Sequence, residues 1–400
     1  MRVLMIPSFF RNTEYRSSGS FFTDQAILMQ ERGHTVSIIY ADTYSIKYIG
    51  DYLNYKEYDE ILSGVPVHRD KAFTPFKRKG FLGNQRRFVR CCLKIVKKNY
   101  PNQFPFDIIH AQNCVWAGAA ARALSERYGV PYVVTEHSSM YELATEKDLA
   151  LVRKNVQLAL DGASGVICVS DKLRSVVQKY TSNEILVIGN VVDVQSYSLI
   201  DRKMNKEKPF VFTSVAFLQT ENRIKLKGID LLIQGFQRFA EKNPNAILKI
   251  IGVPKKITMV SELVLAAGLK DKVQIIEPLD REKIFEEYKK TNCFVLLGKY
   301  ETFGLVYAEA MATGLPVIAT DVGIVSEIIS DASGEICKER TPECVENALL
   351  NVYLKYQQYN PHELRQTITS RYSKEIVGKQ IEDAYIRAVH SDINDGRKTK

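Results

Sequence analysis

The sequence predicts an α/β protein made of two parallel-sheet units of similar size. Short apolar runs rich in Val, Ile and Leu alternate with longer segments of helical period, the pattern of parallel strands covered on both faces. The alternation lapses once, in a polar stretch from Asp193 to Lys208, and then resumes. A length of 400 residues suits two or three domains of ordinary size.

VLMIP (3–7) reads as the first strand, followed by a polar loop to Gly19 and a helical pattern through Arg32. RGHTVSIIY (32–40) turns into the second strand, and DIIHA (107–111), YVVTEH (132–137), GVICVS (165–170) and EILVIGN (184–190) complete the first sheet. The second sheet takes FVFTSVAFL (210–218), AILKIIG (246–252), KVQII (272–276), CFVLLG (293–298) and LPVIAT (315–320). The expected boundaries are a first domain at 1–195, a linker at 196–208 and a second domain at 209–373. A helix at 374–390 is expected to pack back on the first domain, and 391–400 to form a disordered tail. Two open sheets place a cleft between them, and ligands sit at the carboxyl ends of such strands.

Composition excludes several classes. With 45% hydrophobic and 25% charged residues the chain is not globally disordered. No apolar run approaches the ~18–20 residues of a membrane span, and MRVLMIPSFFRN lacks a signal peptide's long apolar run. The seven cysteines contain no CxxC pair, which argues against a disulfide framework or zinc site and for a cytoplasmic setting.

The net charge of +9 is local: Lys77 to Lys98 holds nine basic residues and no acid, and the rest of the chain is neutral. That distribution argues against a whole-protein nucleic-acid binder. Phe73, Phe76, Phe81, Leu82 and Phe88 interleave with the bases, and Phe88, Cys92 and Ile95 recur at helical spacing. Two readings fit: a helix lying on an anionic membrane surface through 77–98, or a solvated basic face whose apolar side docks on the core.

The chemistry concentrates in Tyr300–Ile329. A strand runs into a loop holding Glu301, then Gly304, then a helix, so Gly304 sits where a helix start offers free N–H groups to a phosphate. Glu309 lies ~7.5 Å further along that helix. Among apolar neighbours its carboxylate needs hydrogen-bond donors, and ribose hydroxyls would supply them. Taken singly, either glutamate also reads as a cap or an exposed acid.

The run E-T-F-G-L-V-Y-A-E, a Glu-x7-Glu motif continuing into AEAMATGLPVIATDVG, resembles the donor-binding segment of retaining glycosyltransferases of family 4. RGHTV, DIIHA, TEHSS, VSDKLR, GNVVD and LKGIDLLIQGF resemble that family in the same order, over almost the whole chain. The resemblance implies the GT-B fold, two Rossmann-like domains facing each other across a cleft. It implies a hexosyl transfer from a nucleotide-diphosphate sugar to a glycan or polyprenyl-linked acceptor, in cell-surface polysaccharide biosynthesis on the inner face of the membrane.

By the same resemblance, Glu301 would bind the donor sugar hydroxyls and Glu309 the ribose. Backbone amides of Phe303, Gly304 and Leu305 would hold the distal phosphate and sugar. Lys227 would neutralise the leaving diphosphate, His137 would lie near the reacting sugar, and Gly19 would sit in the loop facing the phosphates and acceptor. No cofactor or metal is expected, since no D-x-D occurs and amides and cations suffice. Ala216 and Phe217 stand where the family usually has Gly-Arg, so Arg223 or Lys225, expected in an extended loop, would replace that arginine. Two alternatives stay open: a nucleotide-sugar epimerase on the same fold, and a non-catalytic homologue that binds anionic surfaces.

Overall fold

The computed structural model describes residues 1–10, 19–55, 59–75, 81–143, 145–200 and 207–394. The chain forms two compact units: residues 1–191 together with the segment from Lys374 onward, and Val192–Ser373.

The first unit holds β1 (Arg2–Pro7), β2 (Thr35–Tyr44), β3 (Asp59–Leu62), β4 (Val65–Phe73), β5 (Ile108–Gln112), β6 (Tyr132–Glu136), β7 (Gly165–Cys168) and β8 (Ile185–Val187). They form one sheet in the order β3-β4-β2-β1-β5-β6-β7-β8. Every pairing is parallel except β3 with β4. Residues 3–6 of β1 and all of β5 and β6 are buried, as continuous apolar runs require.

The β3–β4 hairpin lies outside the strands expected from sequence. Its turn residues Ser63 and Gly64 both have positive φ, 48° and 85°, the geometry that matches the twist of paired strands. Arg69, 1% exposed in β4, pairs with Asp42 and Glu60, so a charged residue sits where an apolar one would have marked the strand.

The helix Phe81–Asn99 shows where the apolar side of the basic stretch goes. Phe88, Cys92 and Ile95 are buried in the domain, so they are not available to a bilayer. Arg86, Arg87, Arg90, Lys97 and Lys98 are exposed, and Lys94 reaches Asp70 at 2.6 Å. Phe76, Lys77, Arg78 and Lys79 lie outside the described residues.

The helix Lys374–Asn394 belongs to this unit. Its Glu382 accepts from Arg32 at 2.5 Å and contacts His34 at 3.0 Å, and Tyr385 meets His110 at 2.7 Å. The helix runs four residues beyond the expected 374–390, which corrects the expected tail for 391–394; residues 395–400 lie outside the described residues.

The second unit holds β9 (Phe210–Val215), β10 (Ala246–Ile251), β11 (Val273–Ile276), β12 (Cys293–Leu296), β13 (Val317–Thr320) and β14 (Gly334–Cys337). They form an all-parallel sheet in the order β11-β10-β9-β12-β13-β14. The unit begins at Val192, within the first domain as expected from sequence, and includes residues 196–200 of the expected linker; 201–206 lie outside the described residues.

Both sheets are Rossmann-like, and each has a point where the strand order turns back. In the first it lies between β1 and β5, in the second between β9 and β12. Ligands of open parallel sheets gather at the carboxyl ends of strands at such points.

Candidate functional site

In the second unit, the carboxyl ends of β9 and β12 lead into the segments 216–228 and 297–304. Two contacts join them. Lys299 N donates to Leu226 O at 2.7 Å, and Gly228 packs against Leu297 so closely that a Cβ would lie 2.0 Å from its carbonyl oxygen. Gly228 also has φ 68°, so glycine is required there twice over. The result places Lys227 Nζ in a direct ion pair with Glu301, both side chains about 15% exposed.

Gly304 precedes the helix Leu305–Ala312 with φ 91°, and a Cβ there would meet the Tyr307 ring at 2.5 Å. The chain can therefore turn sharply from Glu301 into the helix. Phe303 is buried against Tyr372, its ring 5.1 Å away, while its carbonyl accepts from Ile324 N at 3.0 Å. Glu301, Phe303, Gly304, Leu305 and Lys227 are thus brought together as one cluster. Arg223 is exposed and its carbonyl accepts from Lys227 N at 2.8 Å; Glu221–Leu226 is a helix capped by Thr220, not an extended loop. The Arg223 guanidinium lies 5.8 Å from the Phe217 ring.

Glu309, 7% exposed, faces a different set of partners. Its Oε1 accepts from the Tyr197 hydroxyl at 3.0 Å and from Arg281 Nε at 3.1 Å, and Arg281 Nη2 lies at 3.0 Å. Burial pushes the Tyr197 phenol pKa well up, so the hydroxyl stays a donor. Tyr197 and Arg281 were not legible in the sequence, being 112 and 28 residues from Glu309. Beside them opens a cavity of about 410 Å³, lined among others by Asp193, Ser196, Tyr197, Arg281 and Phe285.

In the first unit, His137 follows β6 next to the carboxyl end of β5. Its N–H is shared between Asn113 Oδ1 and Glu136 Oε1, both at 2.8 Å, and its Nε2 lies 2.8 Å from Gln112 Oε1. Gln112 in turn donates to Gln25 at 2.7 Å, so its oxygen is left to accept from His137. Nδ1 is buried and has no partner among the described residues. Phe21 and Phe22 flank the ring at 4.8 and 5.2 Å, and burial lowers its pKa to about 3, so the imidazole is neutral at physiological pH. Gly19, with φ 69°, opens the helix Ser20–Glu31 against Phe22 and so belongs to the same neighbourhood.

Glu136 organises this loop and was also missed from sequence. Fully buried, it accepts from Cys114 N, His137 N, Ser138 N and the Tyr141 hydroxyl at 2.7–3.0 Å. His110 is a satisfied core histidine, 2.7 Å from both Tyr385 Oη and Thr135 Oγ1. Among the described residues no group of three or more His, Cys, Asp or Glu is arranged to hold a metal ion, and no helix is long and apolar enough to cross a membrane.

Two family models match the chain. Residues 19–196 match "Glycosyltransferase Family 4" and residues 199–370 match "Glycosyl transferases group 1". An uncharacterised glycosyltransferase of Methanocaldococcus jannaschii is 26% identical over 323 residues, 79% of this chain and 81% of that protein. A glycosyltransferase of Bacillus subtilis named for teichuronic acid biosynthesis, TuaC, is 25% identical over 365 residues, 87% of this chain and 88% of its own. Among solved structures, sucrose-phosphate synthase from Thermosynechococcus elongatus aligns with a TM-score of 0.79 at 18% identity, over 98% of this chain and 100% of that one.

Proposed function

Because the chain belongs to the glycosyltransferases, its halves matching the family 4 and group 1 models, we propose that it is a retaining hexosyltransferase. It would move a sugar from a nucleotide-diphosphate donor to a glycan or lipid-linked acceptor, in assembly of a cell-surface polysaccharide. The likeness to TuaC, named for teichuronic acid biosynthesis, supports the polysaccharide reading. The observation that carries the donor reading is the cluster at the β9–β12 switch point: a helix start and an ion pair of Lys227 with Glu301, with Glu309 on the same helix, all in one unit.

Breaking the anomeric bond leaves positive charge on the sugar and negative charge on the departing phosphate. Lys227 and the amides of Phe303, Gly304 and Leu305 meet the negative charge. Glu301 binds the sugar hydroxyls while its ion pair keeps Lys227 oriented. Glu309 takes the ribose. His137, neutral and with an Nδ1 that has no partner among the described residues, acts as a hydrogen-bond acceptor for a sugar hydroxyl and not as an acid. The acceptor attacks from the face the phosphate leaves, and that phosphate takes the acceptor's proton. The exposed bases Arg86, Arg87, Arg90, Lys97 and Lys98 favour docking on an anionic membrane surface by charge alone.

Thermal shift with UDP-, GDP-, ADP- and dTDP-sugars tests the donor reading, because a tight ligand raises the melting temperature by linkage. One donor should stabilise the protein, and Glu309→Ala should abolish the shift. An unchanged shift in that variant would sink the site assignment.

A further inference from the structure

We infer that Tyr197 and Arg281 are positioning residues for Glu309 and set how strongly the protein distinguishes a ribose from a deoxyribose; this rests on the reading of Glu309 as the ribose ligand. Glu309 Oε1 accepts from the Tyr197 hydroxyl and from Arg281 Nε, with a second guanidinium nitrogen at 3.0 Å. A carboxylate so engaged has its plane fixed before any ligand arrives, and a fixed acceptor loses no rotamer freedom on binding.

The two donors sit on rigid supports. Arg365, in the helix Pro361–Tyr372, donates to Val194 O at 2.6 Å, to Tyr197 O, and to Ala312 O at 3.0 Å. Ala312 is the last residue of the helix that carries Glu309. One guanidinium therefore ties the Tyr197 backbone to that helix and sets their register. Arg281 is the first residue of the helix Arg281–Lys289, whose start is capped by Asp280 accepting from Lys283 N at 3.0 Å. The Arg281 guanidinium lies 5.9 Å from the Tyr197 ring, which packs on Phe285 at 5.4 Å, so the donors also brace each other.

The adjoining cavity of about 410 Å³, into whose wall both residues enter, gives them a second role as neighbours of a bound ligand. Burial of the Tyr197 phenol keeps it protonated, so the clamp persists across the physiological range.

The test is calorimetric binding of UDP, GDP and ADP and of their 2′- and 3′-deoxy counterparts, to the wild type and to Tyr197→Phe, Arg281→Gln, Arg281→Lys and Glu309→Gln. The wild type should bind the best of the three ribonucleotides at least about tenfold more tightly than its deoxy forms. Tyr197→Phe and Arg281→Gln should each weaken the ribonucleotide about tenfold and the deoxy forms less than about twofold, with Arg281→Lys between. A merely structural role would weaken all forms alike. Preference retained in Glu309→Gln, or no binding of any of the three, overturns the ribose reading. Preference lost in Glu309→Gln but retained in Tyr197→Phe and Arg281→Gln overturns the positioning inference alone.

Discussion

The His137 ring is held by neutral partners, a glutamine oxygen and two phenylalanine rings, whereas Glu301 and Glu309 are held by cations. In the first neighbourhood His137, Gln112, Phe22 and Glu136 are at most 7% exposed, and the buried carboxylate of Glu136 is satisfied chiefly by backbone N–H groups. In the second, Arg281 keeps 40% of its side chain in solvent. The difference matters for how each fails. A buried neutral imidazole fails when it takes up a proton, and a charged cluster fails when it loses a partner.

Acid should therefore separate the two units, and this is the largest effect expected. His110 and His137 both titrate at about 3 in the folded protein against 6.5 unperturbed, because burial disfavours the cation. The unfolded chain binds their protons first, so stability falls as pH drops from about 6.5 towards 3. For two such groups the loss is on the order of 5 kcal/mol between pH 6 and 4. In the second unit Glu287 and Glu346 have lowered pKa values: Glu287 accepts from lysines that outweigh its burial, and Glu346 bonds Lys242 and Arg238. Their stabilisation is lost only as pH falls through values below the ordinary 4.5. The single tryptophan, Trp116, lies in the first unit against Phe88, so its fluorescence follows that unit while far-ultraviolet circular dichroism follows both. Fluorescence should change first on acidification; coincident transitions would break the comparison.

Next in size, Lys227→Ala should cut kcat/KM by roughly 10²–10³, the usual loss of a group that stabilises leaving-group charge. It also strands Glu301 without its cation. Steady-state kinetics with the stabilising donor measures it, and a drop under tenfold would remove Lys227 from the reaction. Tyr385→Phe should cost about 1 kcal/mol in urea unfolding, since it takes one hydrogen bond from buried His110. That variant should leave donor-induced stabilisation unchanged. Smallest of all, neutralising Arg86, Arg87 and Arg90 together should change stability by less than about 0.5 kcal/mol per site. The same variant should lose binding to vesicles containing anionic lipid, and retained binding would remove the membrane proposal.

The second neighbourhood was largely legible in the sequence because its chemistry is contiguous: Glu301, Gly304 and Glu309 fall within nine residues. Its two clamp residues were not, because Tyr197 and Arg281 meet Glu309 only after the sheet has formed and carry no local signature. Glu136 hid in plain view within YVVTEH, where a charge at a strand end reads as solvent-facing unless its backbone donors are known. The β3–β4 hairpin was obscured by Arg69 and its acidic partners, although Ser63-Gly64 was a usable turn signal. Around Arg223 the error was local: Thr220 followed three residues later by an arginine hides a helix start, where a glutamate would have declared it.

The chain leaves the first unit at Val191 and returns to it at Lys374. During synthesis the ribosome therefore delivers every strand of the second unit before it delivers the helix that closes the first. Until that helix arrives, His110 lacks Tyr385, and His34 and Arg32 lack Glu382. The order of birth and the order of completion are opposite, so the earlier-made unit has to wait, with a polar patch uncovered, for the later one to be finished.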